Sequence, residues 1–138
     1  MHDRLERIES VKAGSLSGLA AGIGYGTIII IDRATFGGHS LPLISLGLEI
    51  VMAIAASFLF GVTYRYIIRT DRNDHLNSGA VLAFGLVRGL AQINLQEFGL
   101  TEILTNGVVV GESVVLFAIC RYSIDYALSA CWITPFKS

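Results

Sequence analysis

Glycines fall at positions 14, 18, 22 and 26 within GSLSGLAAGIGYGTIIII, and no charged residue interrupts the chain between Lys12 and Asp32. A spacing of four sets these glycines along one stripe of a helix. In water such a helix is poor, because each glycine costs about 1 kcal/mol relative to alanine. In hydrocarbon the backbone has no solvent to bond, so it must satisfy itself and the helix forms regardless. The bare stripe then becomes a groove into which a neighbouring helix fits closely. This feature selects lipid as the solvent and a helical bundle as the architecture.

Composition points the same way. Of 138 residues, 53% are hydrophobic and only 15% charged, where a soluble domain carries about 25% charge. Mean hydropathy is +0.63. The formal net charge is −1 with no basic cluster, so nothing recruits nucleic acid. Cys120 and Cys131 fall in one expected helix, where about 16 Å of rise separates them, and they cannot join in a disulfide. Thiols placed this way are expected to be buried or lipid-facing rather than redox-active.

The opening segment MHDRLERIESVKAG mixes acids with bases and lacks a cleavage site, so it does not read as a signal peptide. Leu5, Ile8 and Val11 recur every third residue, and Asp3 precedes Arg7 by four. That pattern predicts a short amphipathic helix over 1–12, lying at the membrane surface and leading into the first span.

Four spans are expected, at about 13–31, 43–64, 79–95 and 106–132, with 135–138 as a C-terminal tail. Gly37, Gly38 and Pro42 punctuate the first loop; Thr70–Ser78 is a polar turn rich in cap-forming residues, with the next helix expected near Ser78; Gln96–Thr105 is the last loop. The second span carries Ala53, Ser57 and Gly61, the third Gly85 and Gly89, and the fourth Gly107 and Gly111. Each span therefore has a small-xxx-small pair, which predicts an all-α, polytopic, compact glycine-packed bundle of four transmembrane helices. YRYIIR at 64–69 has the tyrosines and arginines of a headgroup anchor, as do Tyr122, Tyr126 and Trp132 in the last span.

Basic residues fix the orientation. Arg4, Arg7, Lys12, Arg65, Arg69, Arg72, Arg121 and Lys137 fall on one side of this scheme, and Arg33 alone on the other. The positive-inside rule puts both termini and the 65–78 segment in the cytoplasm, or in the stroma of a plastid.

Glu49, Arg88 and Glu112 lie inside apolar spans. Glu49 is seven residues after Pro42, Arg88 seven before Leu95, and Glu112 seven after Thr105. At the helical rise all three sit about 10 Å below the non-cytoplasmic surface. An arginine in hydrocarbon needs a partner, and its fork matches a carboxylate, so Arg88 is expected to pair with the two acids in a buried cluster. Gln92, four residues on, shares its face and can complete the hydrogen bonding. The simplest role for such a cluster is to fix which helices pair and in what register. The functional alternatives are a proton or ion relay and a contact for another protein's helix. Arg121 and Asp125, four apart, are expected to form a local ion pair near the inner surface.

Catalytic chemistry is missing. His2, His39 and His75 all lie outside the spans, which disfavours a bis-histidine haem. His39 or His75 is a candidate ligand for a pigment magnesium, though a plain loop histidine is the simpler assignment. Gln96, Glu97 and Phe98 form a solvated loop or a small contact patch. The GxGxG of Gly22, Gly24 and Gly26 lacks the strand–turn–helix context of a dinucleotide loop, and no nucleophile–base or metal-ligand spacing is present. No catalytic residue, metal or cofactor is expected, with chlorophyll or carotenoid the pigments to consider.

RIESVKAGSLSGLAAGIGYG at 7–26 and HLNSGAVLAFGLVRGLAQ at 75–92 resemble a family of small thylakoid membrane proteins of cyanobacteria and plastids, whose role is poorly defined. The second stretch is the more specific, since it combines an arginine within a glycine-bearing span with a polar lead-in. The resemblance covers spans one and three. It implies the thylakoid membrane as location and a photosynthetic context, and it brings no catalytic or binding residues with it. Together these features predict a non-enzymatic accessory or assembly subunit of a larger membrane complex, such as a photosystem or another thylakoid complex, with lipid and other integral membrane proteins as its partners. A small transporter or channel built on the Glu-Arg-Glu cluster, or a pigment- or lipid-binding protein, are the alternatives.

Overall fold

No proline occurs before position 42, so nothing breaks the first helix between its polar lead-in and its apolar run. The computed structural model describes residues 2–36, 42–68, 73–93 and 99–135, and it is helical with short connections. Helix α1 (His2–Phe36) runs unbroken through the segment expected as a separate surface helix. Its hydroxyls at Ser10, Thr27 and Thr35 bond to carbonyls one turn back, which satisfies them inside an apolar helix. Helix α2 (Leu43–Ile67) follows Pro42.

Helix α3 (Asp74–Ala91) starts four residues before the expected point, because Asn73 caps it and accepts a hydrogen bond from the His75 backbone N–H at 3.2 Å. Helix α4 (Leu100–Ser129) starts inside the expected last loop, after an extended Gly99, and stops before the expected 132. His39, Arg69, Arg72, Leu95, Gln96, Glu97, Phe98 and Lys137 lie outside the described residues.

Three helices are long and apolar enough to cross a membrane, namely α1, α2 and α4. The expected count of four meets a limit at α3. Its 18 residues rise about 27 Å, and its first turn holds Asp74, His75 and Asn77.

The chain forms two hairpins, α1–α2 and α3–α4, joined chiefly where α1 lies against α4. Toward the start of α1 and the end of α2 the backbones nearly touch: a Cβ built on Gly61 would stand 2.6 Å from the Ala13 carbonyl oxygen. In the second hairpin a Cβ on Gly85 or Gly89 would stand 2.7 Å from the Cα of Val114 or Val110. Ala53 and Ser57 are buried along α2, on the side that carries Gly61. Between the hairpins Phe60, Phe84 and Phe117 meet with ring centroids 5.2–5.7 Å apart, and Tyr64 stacks on Phe60. These rings form the centre of the core.

The first glycine stripe does not hold together along its length. Gly14 lies hard against Phe58 and Val62, Gly18 and Gly22 make ordinary contact with Ile54, and Gly26 meets nothing within 4 Å. A spacing of four overshoots the helical turn by about 40° per step, so Gly26 has rotated about 120° from Gly14. Gly107 and Gly111 are likewise off the packed side of α4, since Val110 and Val114 are the residues that face α3. Within this chain, Gly26, Gly107 and Gly111 are not packing glycines. Gly24, by contrast, rests on Leu116 and Ile119 of α4.

Candidate functional site

All four helices contribute to one polar cavity of about 200 Å³. Tyr25 enters it from α1, Glu49 from α2, Arg88 and the C-capping Gln92 from α3, and Glu112 with Ser113 from α4; Val109 and Leu116 close its walls. Close approach of α3 to α4 at Gly85 and Gly89 holds Arg88 beside Ser113. The four residues expected to cluster therefore line a common space.

Their bonding differs from the expected ion-paired triad. Arg88 donates through Nη1 to Gln92 Oε1 at 3.0 Å and to Ser113 Oγ at 3.2 Å, and Ser113 Oγ donates to the same Gln92 oxygen. The guanidinium lies 5.1 Å from the centroid of the Tyr25 ring, a cation–π distance. Tyr25 Oη in turn donates to Glu49 Oε2 at 2.9 Å. Among the described residues no ion pair includes Arg88, Glu49 or Glu112. The neutral oxygens of Gln92 and Ser113 lie within hydrogen-bond distance of Arg88, and neither acid comes close enough to pair with it. Nor is the cluster sealed: Gln92 is exposed, and the three charged residues are half-buried.

Tyr25 is the member that the sequence pattern hides, since an aromatic in an apolar helix reads as core. The usable signal is its hydroxyl, which needs a partner when placed in hydrocarbon.

A second set of polar groups gathers where the start of α1, the end of α2 and the segment after α4 meet. Arg65, placed in a headgroup anchor by its sequence context, is completely buried. It donates to the Glu6 carbonyl at 3.0 Å, the Glu6 carboxylate at 2.6 Å, Ser10 Oγ at 2.7 Å and the Thr134 carbonyl at 3.0 Å. Tyr64 is buried as well, and its hydroxyl donates to Asp125. Asp125 pairs with Arg121 at 3.4 Å, as the spacing predicts, and Arg121 also reaches Ser78 and Asp74. Tyr122, Tyr126 and Trp132 are exposed beside this end, with the last two in edge-to-face contact. This cluster ties helix ends together.

The fold and its sites define a helical protein whose three long apolar helices are consistent with an integral membrane protein. No family model matches the chain, and no curated protein or solved structure is similar to it.

Proposed function

We propose that the chain is a non-catalytic, four-span integral membrane protein that packs as an accessory or assembly subunit against a larger membrane complex. The supporting observation is the bare face of α4. Gly107 and Gly111, one turn apart, meet no other described residue within 4 Å, while Leu104, Val108 and Val115 around them are exposed. Glycine left bare on a spanning helix gives up helix propensity with no internal contact in return, and a helix from another protein supplies that contact. In this proposal α3 is the fourth span. Its polar first turn lies at the inner surface and its Arg88 is sheltered in the cavity. The thylakoid as location, and a photosystem or another thylakoid complex as partner, rest on the resemblance of residues 7–26 and 75–92 alone.

A gentle-detergent native gel of the source membranes tests it, with the chain tagged at its C-terminus. Comigration with a complex of several times its mass is expected, and it should be lost in the Gly107→Leu/Gly111→Leu variant. Migration of the parent chain alone would remove the proposal.

The cavity favours a second function, a small transporter or channel using Glu49, Arg88 and Glu112 along a polar path. Cation flux into reconstituted vesicles, abolished by Glu112→Gln, is its requirement.

A further inference from the structure

We propose that the polar cavity is a binding site for one monovalent cation, held between Glu49 of α2 and Glu112 of α4. This deepens the transport function above, but it concerns occupancy and not movement.

The bonding of Arg88 carries the inference. Its contacts are to Gln92, Ser113 and the Tyr25 ring, all neutral, and neither carboxylate in the cavity is ion-paired to it. Among the described residues Glu49 accepts one hydrogen bond, from Tyr25, on one of its two oxygens. Glu112 accepts none among the described residues, although it points into the same space. One guanidinium cannot balance two carboxylates in a low-dielectric cavity, so a positive charge from outside the chain is the natural complement.

The chemistry of the walls sets the ligand class. Two carboxylates and one guanidinium sum to −1, and one unit charge neutralises the cavity where a divalent ion would overshoot. No group of three or more metal-ligating side chains occurs among the described residues, which also argues against a tightly held divalent or transition metal. The available donors are carboxylate, amide and hydroxyl oxygens, which suit a hard ion. A volume of about 200 Å³ leaves room for such an ion with part of its water shell. Every helix presents a charged or titratable group here: Tyr25 from α1, Glu49 from α2, Arg88 from α3 and Glu112 from α4. Asp32, near the end of α1, adds negative potential on the Glu112 side.

The test is the thermal unfolding midpoint of the full chain in detergent. It is recorded in sodium, potassium or N-methyl-d-glucamine chloride at equal ionic strength, at each of several pH values. The midpoint should rise with sodium or potassium and saturate, while the bulky organic cation, too large for the cavity, leaves it unchanged. Glu112→Gln and Glu49→Gln should each remove the rise, and either one carries the assignment if the other does not fold. Identical midpoints in all three salts overturn the site, as does a midpoint that follows pH alone, the mark of a proton-only position. A saturable rise that survives both substitutions places the ion elsewhere and overturns the assignment. Saturable stabilisation without vesicle flux upholds the site and removes the transport function.

Discussion

Cys131 occupies a backbone conformation that side chains resist. Its φ of 58° is left-handed. The Trp132 N–H bonds to the Ala127 carbonyl at 2.9 Å, and the Cys131 N–H to the Leu128 carbonyl at 3.2 Å. These two bonds make a Schellman end to α4, with cysteine where glycine is usual. Because the side chain is exposed, Cys131→Gly should raise stability by about 1 kcal/mol, read from unfolding midpoints in detergent. No gain would show that the thiol makes a compensating contact. Nothing in Ser-Ala-Cys-Trp marks this stop, and the sequence pattern accordingly carries the helix on to Trp132. Glycines hide their surroundings in the same way. Gly61 and Gly107 sit in similar small-xxx-small patterns, yet one faces the Ala13 carbonyl and the other faces nothing. Gly61→Ala should cost about 1–3 kcal/mol by forcing α1 from α2, while Gly107→Ala should lie between neutral and a gain of about 1 kcal/mol. Equal losses at both positions would contradict the contact geometry.

Among the elements, the helix ends depart furthest from the sequence pattern. The apolar runs and their spacing are readable, because hydrocarbon requires about 20 apolar residues per crossing. The starts of α3 and α4 are less so, since a helix continues into a polar lead-in wherever no residue breaks it. Arg65 shows the same limit more sharply. An arginine between tyrosines at the end of a span looks identical whether it reaches a headgroup or turns inward. Its partners, Glu6 and Thr134, are 59 and 69 residues away in sequence. Equal depth of Glu49, Arg88 and Glu112 can be computed from spacing, whereas the choice of Gln92, Ser113 and Tyr25 as partners for Arg88 depends on rotation about each helix axis. For Arg65→Met we expect a loss of about 3 kcal/mol, because the Glu6 carboxylate and the Ser10 and Thr134 oxygens lose their shared donor. Arg65→Met combined with Glu6→Gln should recover part of it, and a double-mutant cycle on unfolding midpoints measures the coupling. Strict additivity would mean that water already screens the pair.

At the scale of the whole molecule, the Arg65 cluster draws three parts of the chain to one end: the start of α1, the end of α2 and the segment after α4. Arg4, Arg7, Lys12, Arg65 and Arg121 lie toward that end, so for a membrane-spanning chain the positive-inside rule would put it in the cytoplasm. The two cysteines test this orientation without engineering. Cys131 is exposed at that end, and Cys120 is fully buried, with its Sγ 3.5 Å from the Ser17 carbonyl oxygen. A membrane-impermeant maleimide should therefore modify one thiol per chain in inverted vesicles and none in right-side-out vesicles, and peptide mapping should place the label on Cys131. Detergent that preserves the fold should keep the count at one, and denaturant should raise it to two. Labelling from the opposite side would invert the topology. The Glu49–Glu112 cavity would then lie near the cytoplasmic face, and a cation would reach it from the other compartment.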